Sequence, residues 1–260
     1  MKYLYYPGCT LKTKAKLLDY YALRALEALF VDVTVFDEWQ CCGAVYPAVA
    51  DDIAGRLSAV RALETARRMG CELLTLCSAC HHVLKRVNRD MAENADIATK
   101  VNNYSQFEAP YLGETKVVHF MELLRDVLGF ERLSELVVNP LSGRSIGAYY
   151  GCLLLRPGGV MEFDDPENPS VMEDFLRAIG ADVVTYSYRN ECCGGYLALD
   201  DSELVRGLCA SVLGSSREKG AEALVTACPL CSYNITKNSD DDSPRVFYFT
   251  ELLAEALGVK

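Results

Sequence analysis

The chain carries no run of about 18 uncharged apolar residues, the least that a membrane-spanning helix needs. It begins Met-Lys-Tyr-Leu-Tyr-Tyr-Pro, without the basic start, apolar stretch and small-residue cleavage site of a secretory leader. These two absences predict a reducing cytoplasmic compartment, where clustered cysteines act as ligands or redox groups more often than as disulfides. Basic charge is also scarce: 26 Lys and Arg stand against 36 Asp and Glu, for a net charge of -10, which argues against a nucleic-acid-binding role. No Gly-x-Gly-x-x-Gly fingerprint, P-loop or ferredoxin-type C-x2-C-x2-C-x3-C run is present. Whatever redox chemistry occurs therefore draws its electrons from another protein.

Cysteine, by contrast, is abundant and ordered. Ten of the twelve cysteines fall into a five-residue pattern that occurs twice: Cys9, Cys41, Cys42, Cys77, Cys80, then Cys152, Cys192, Cys193, Cys228, Cys231. The first copy reads C-x31-CC-x34-C-x2-C and the second C-x39-CC-x34-C-x2-C. Structural zinc takes about four ligands in a tetrahedron, so five thiols per copy point to iron–sulfur chemistry. One iron–sulfur cluster with one zinc remains an alternative, because each C-x2-C pair also suits zinc. With 260 residues, half of them apolar, the chain can bury a core without cysteine staples.

The repeat extends beyond the cysteines. Lys2–Tyr6 and Ile146–Tyr150 read as aromatic strands running into Gly-Cys, at Gly8-Cys9 and Gly151-Cys152. Each copy continues with a helix (Ala15–Phe30; about Ser170–Ile179) and a β-branched run (Val31–Phe36; Asp182–Tyr186) before Cys-Cys-Gly. A long helix follows (about Asp51–Met69; Asp201–Lys219), then a strand (Glu72–Leu76; Ala223–Thr226) that delivers the C-x2-C pair. Val117–Leu124 and Val246–Leu253 close the copies as a strand entering a helix. Alternating strands and helices predict an α/β fold of two pseudo-symmetric Rossmann-like domains, each a parallel sheet flanked by helices. Each cysteine group would follow a strand and precede a helix, at the carboxyl ends of the strands. The turn at Asn139–Gly143 sets the boundary, giving domains 1–140 and 141–260. Residues Asn94–Glu114 read as an excursion without a counterpart, and Pro157–Pro169 as an ordered surface loop near Cys152.

The doubled C-x31-39-CC-x34-C-x2-C pattern resembles the cysteine-rich CCG domain, and two copies across nearly the whole chain resemble the B-type subunit of heterodisulfide reductase. The resemblance implies two noncubane 4Fe–4S clusters, held by Cys9, Cys41, Cys42, Cys77 and Cys80 and by Cys152, Cys192, Cys193, Cys228 and Cys231. Spacing alone does not separate such a cluster from a cubane with a spare cysteine. The resemblance also implies a complex with a ferredoxin-like iron–sulfur subunit (the C-type component) and a flavin-containing subunit (the A-type component), linked in some assemblies to hydrogenase or dehydrogenase modules. The reaction implied is reduction of a disulfide, such as that of coenzyme M and coenzyme B, to two thiols. Relatives sharing the domain serve in lactate or glycolate oxidation or in quinone reduction, which keeps an electron-transfer role open.

Reducing one disulfide consumes two electrons, and a cluster passes one at a time, so two clusters bracketing the disulfide match the stoichiometry. Product thiols with pKa near 8.5 also need protons at neutral pH. His81 and His82, directly after Cys80, are donor candidates, read otherwise as a helix-surface or capping pair; Ser232 and Tyr233 replace them in the second copy. Lys12, Lys14, Lys16 and Arg156 are placed to attract an anion or simply to solvate a helix start. Cys71 and Cys209 lie outside the pattern and read as small buried residues.

Overall fold

A computed structural model describes residues 2–44, 51 and 53–260. Eight strands form two sheets: β1 (Tyr3–Tyr6), β2 (Val33–Val35), β3 (Glu72–Thr75) and β4 (Val117–His119), then β5 (Ser145–Tyr149), β6 (Asp182–Val184), β7 (Ala223–Thr226) and β8 (Arg245–Tyr248). The sheet orders are β2-β1-β3-β4 and β6-β5-β7-β8, and every pairing is parallel. Register is matched as well: Tyr6 pairs with Thr75 and Tyr149 with Thr226 at the ends that lead to the cysteines. Parallel strands covered by helices on both faces become continuous apolar runs, as the fully buried Tyr3–Tyr6 and Ala223–Thr226 segments show.

The order fixes where a ligand belongs. From β1 the chain crosses to one side to make β2 and to the other to make β3, so the connections part above the β1/β3 edge and leave a crevice at the strand carboxyl ends. Cys9 follows β1 and Cys77 follows β3; Cys152 and Cys228 hold the same positions at β5 and β7.

One expectation needs correction. Only Cys77 and Cys228 immediately precede helices, as caps of Ser78–Glu93 and Pro229–Lys237. Cys9 lies inside the short helix Gly8–Thr13, Cys152 lies in turns, and both Cys-Cys pairs lie in irregular segments well past the short β2 and β6. Polar groups of these loops are satisfied locally by side chains instead of by a helix end. The Asn94–Glu114 excursion is built largely from a helix, Ala95–Ser105, capped by the Asn94 side chain onto the Ile97 amide. Pro157–Pro169 likewise contains the short helix Gly158–Met161.

The two halves share one core. A single cluster of buried side chains runs from Tyr3, Tyr5, Leu74 and Val118 of the first sheet to Ile146, Val225 and Phe247 of the second. Helix Lys16–Ala28 packs on the last helix, Phe249–Ala256, and the Thr250 hydroxyl donates to the Leu18 carbonyl at 3.1 Å. Phe249, fully buried, stacks its ring against Phe120, Phe175 and His119, and so joins both halves. Replacing it by alanine is expected to cost about 3–5 kcal/mol. Urea unfolding should remain a single transition shifted to lower denaturant; separate transitions of two halves would contradict a shared core.

Candidate cysteine-lined redox site

The site is made of ten thiols in two sets, the first a continuous chain and the second a pair beside a group of three. In the first half, the Cys41 and Cys9 sulfurs lie 3.6 Å apart and those of Cys42 and Cys80 3.3 Å apart. Contacts of Cys41 with Cys42 and of Cys80 with Cys77 complete the chain of five. In the second half the Cys193 and Cys231 sulfurs lie 3.5 Å apart, Cys152 pairs with Cys192, and Cys231 pairs with Cys228. The two sets then meet, because Cys77 and Cys228 pack in one buried cluster across the halves, and each thiol shifts the other's ionisation. In both halves the first member of the Cys-Cys pair is exposed and the second buried, so each set reaches from solvent into the core. Among the described residues, no three histidine, cysteine or carboxylate side chains converge in the manner of a single-ion site.

Backbone groups next to the thiols are clamped symmetrically. Tyr6 donates its hydroxyl to the Gln40 carbonyl, and Tyr149 donates to the Glu191 carbonyl at 2.8 Å. Each fixes the residue before a Cys-Cys pair from the end of a strand. At the junction of the halves, His119 Nε2 donates to the Leu76 carbonyl at 2.9 Å, and the Tyr248 hydroxyl donates to the same carbonyl and to Ala227 O at 3.4 Å. The Ser78 amide and hydroxyl both donate to Ala227 O, at 3.2 and 2.9 Å. Leu76 and Ala227 precede Cys77 and Cys228, so the junction holds the two central cysteines in place.

The thiols differ in how readily they ionise, and Cys77 and Cys80 are both raised. Hydrogen bonds from Cys41 and Cys80 push Cys42 down to about 4, and the bond from Cys152 brings Cys192 down to about 6. Cys231 and Cys77 lower Cys228, and Cys231 lowers Cys193, with Asn234 adding to that effect against burial. The donors Cys41, Cys80, Cys152 and Cys231 are raised in turn. The thiolate is the form that binds metal, and four of the ten sulfurs are biased toward it even before a cation neutralises the rest.

The donor set suits an iron–sulfur group. It contains sulfur only, and at Gly8, with φ +69°, a Cβ would stand 2.8 Å from Cys80 Sγ. Gly151, φ +65°, stands in the same relation to Cys231 Sγ at 3.3 Å. Glycine at both positions keeps the backbone beside the sulfurs open. A small cavity of about 40 Å3 is enclosed by Cys152, Cys192, Cys193, Cys228 and Cys231. A wider one of about 300 Å3, lined by Cys42, Gly43, His82, Arg86, Leu153 and Tyr196, opens beside the first set. Tyr196 lines both and stands between the two cysteine sets. A larger groove of about 600 Å3, with Lys85, Glu122 and Arg125, contains no cysteine; donor chemistry rather than volume locates the site.

The histidines are not a surface pair. His81 is fully buried, with Nδ1 3.0 Å from the Thr75 hydroxyl and Nε2 3.4 Å from Glu122, so it faces away from the thiols. His82 is buried too, but it lines the cavity that holds Cys42; its Nδ1 lies 3.2 Å from the Leu153 carbonyl. Burial lowers both imidazoles. Lys12 pairs with Asp19 at 2.9 Å while Lys14 and Lys16 are exposed. Arg156 donates to the Asn190 and Pro166 carbonyls at 2.8 and 3.1 Å, bracing the segment before Cys192. Cys209 is buried as expected, whereas Cys71 is partly exposed and donates only to the Met69 carbonyl at 3.5 Å. Sequence reading missed Tyr6, Tyr149, Tyr196, His119 and Tyr248. The first pair was legible as tyrosines shared by the two strand ends; the others depend on contacts between halves.

The cysteine-rich domain model known as CCG matches residues 3–85 and 146–236. The chain is 26% identical over 268 residues, covering 99% of it and 93% of the relative, to the 8-methylmenaquinol:fumarate reductase membrane anchor subunit of Wolinella succinogenes. It is 27% identical to the B-type subunit of the ferredoxin/F420H2-dependent CoB-CoM heterodisulfide reductase of Methanosarcina acetivorans, covering 97% and 85% of the two chains. A protein of Archaeoglobus profundus named for its likeness to the B-type subunit of heterodisulfide reductase is 28% identical, with 89% and 79% covered. A solved structure of a hypothetical protein from Helicobacter pylori shares the fold, with TM-score 0.78 and 13% identity over 100% of this chain and 49% of that one.

Proposed function

We propose, from the premise that this chain belongs to the CCG cysteine-rich domain family and carries the domain twice, that it is the disulfide-reducing subunit of a heterodisulfide reductase-like complex. An iron–sulfur redox role follows from the family and the donor set. The finer reading assigns one noncubane 4Fe–4S cluster to Cys9, Cys41, Cys42, Cys77 and Cys80, and a second to Cys152, Cys192, Cys193, Cys228 and Cys231. When bound, such clusters would supply electrons singly and offer iron as a soft site for sulfur. The observation that carries the reading is the meeting of the two sets at Cys77 and Cys228: two one-electron sites held by them would stand side by side, where one disulfide needs two electrons and two protons.

The chain's own residues would do the rest. The cavity between Cys42 and Tyr196 admits a small molecule, with Arg86 and Asp51 among its lining and Arg56 paired to Asp90. His82, facing that cavity, is the better placed of the two candidate proton donors; the buried contacts of His81 give it a packing role. The chain has no flavin or nucleotide fingerprint, so electrons would arrive through a ferredoxin-like subunit from a flavin-containing partner. No helix among the described residues is long and apolar enough to cross a membrane.

A second reading is favoured by the similarity to the fumarate reductase anchor subunit over 99% of the chain. In it the protein conducts electrons to or from a quinone within another oxidoreductase. One experiment separates the two. The chain, purified without oxygen, is assayed for iron, sulfide and zinc, reduced chemically, and mixed with a small disulfide. About eight irons per chain, as two four-iron clusters require, with thiol-sensitive EPR signals and thiol release, are expected. Full iron without thiol release favours the conduit, and half the iron with one zinc removes the two-cluster assignment.

A further inference from the structure

The two cysteine sets are alike in sequence but not in surroundings. When the Cys-Cys pairs are superposed, Cys209 stands where the first half has Ser58, and Asn234 where it has Val83. Ser58 and Cys209 do comparable work: the Ser58 hydroxyl donates to the Cys41 carbonyl at 2.8 Å, and Cys209 Sγ donates to the Cys193 carbonyl at 3.5 Å. Asn234 has no such counterpart. Its Nδ2 donates to the Cys193 carbonyl at 2.6 Å and lies 3.6 Å from Cys209 Sγ, while its own backbone carbonyl accepts from Cys209 at 3.8 Å. Asn234 is 4% exposed and Cys209 0%, so both act in a medium of low polarity.

A reduced cluster carries one more negative charge, spread over its cysteine sulfurs. The positive end of the Asn234 amide, held on the Cys193 carbonyl beside that cysteine's sulfur, stabilises such charge, and reduction potentials follow the hydrogen bonding and solvent exposure around a cluster. Burial strengthens the effect, because no water competes for the amide. Val83 offers no donor, so the first set goes without it.

We infer that Asn234, seated by Cys209, is a positioning residue that raises the reduction potential of the cluster assigned to the second cysteine set, an increment the first set lacks. This inference rests on the proposed iron–sulfur function. It makes the second half the preferred resting place of an arriving electron and gives two otherwise similar sites an order of filling.

Redox titration of the full chain, followed by EPR, tests it. In Asn234→Val one of the two couples should fall by about 59 mV, a tenfold change for one electron, with the other unmoved. Asn234→Asp, of the same shape but acceptor-only, should lower it further. The reciprocal Val83→Asn should raise the other couple, and it decides the matter if the Asn234 variants lose their iron. Unmoved couples, or equal shifts of both, overturn the inference. Wild-type chain without iron or sulfide overturns the function on which it rests.

Discussion

Alanine in place of Cys228 is expected to abolish disulfide reduction and to remove roughly half the iron, if two four-iron clusters are present. It should also change the EPR signal of the cluster that remains. The last effect is the informative one. Cys228 is buried, lies where the halves join, and packs with both Cys231 of its own set and Cys77 of the other. Losing its sulfur strips one set of a ligand and the other of a neighbour. Activity should fall by more than about 100-fold, beyond the 10–100-fold typical of losing an outer-shell partner. Cys71→Ala is the control: partly exposed and bonded only to the Met69 carbonyl, it should leave iron content and turnover unchanged. Retention of full iron and activity by Cys228→Ala would remove the ligand assignment at that position.

Gly8→Ala is expected to lose the first set's iron, and Gly151→Ala to lose less. Gly8 has φ +69°, where an L-residue costs about 1–2 kcal/mol, and its added Cβ would stand 2.8 Å from Cys80 Sγ. Real Cβ atoms do not approach so closely, so Cys80 or the Gly8–Thr13 helix must move. At Gly151 the backbone angle is similar but Cys231 Sγ stands at 3.3 Å, a distance that a few tenths of an ångström relieve. The backbone cost is thus shared, and the displaced sulfur distinguishes the two. Iron per chain and the denaturation midpoint of the iron-free protein measure these separately. Equal iron loss with equal destabilisation would mean that backbone strain, not the sulfur contact, governs both sites.

The two C-x34-C-x2-C intervals fixed their own outcome. After the second Cys-Cys pair a short 3-10 turn, a helix and a parallel strand lead to the capping cysteine, and the described residues of the first copy show the same helix and strand, because periodicity and β-branching are local properties. The parallel sheets and the placing of the cysteines at their carboxyl ends were legible for the same reason; the strand order was not. So were the ten thiols as two sets, since a doubled spacing survives any detail of packing.

What came only with tertiary structure is everything that depends on two distant segments touching. Spacing within a copy says nothing about contacts between copies, so the meeting of Cys77 with Cys228 and the shared core around Phe249 could not be read from it. His81 and His82 are adjacent in sequence, yet successive residues of a helix point about 100° apart: one is turned to Thr75 and Glu122, the other to the cavity beside Cys42. Asn234 sits three residues after Cys231, as Val83 does after Cys80, and neither position announces a role. Local chemistry wrote the sequence pattern, which determined the fold and the donors; burial and cross-half hydrogen bonding, which sum over the whole chain, decided how those donors are grouped and what surrounds each of them.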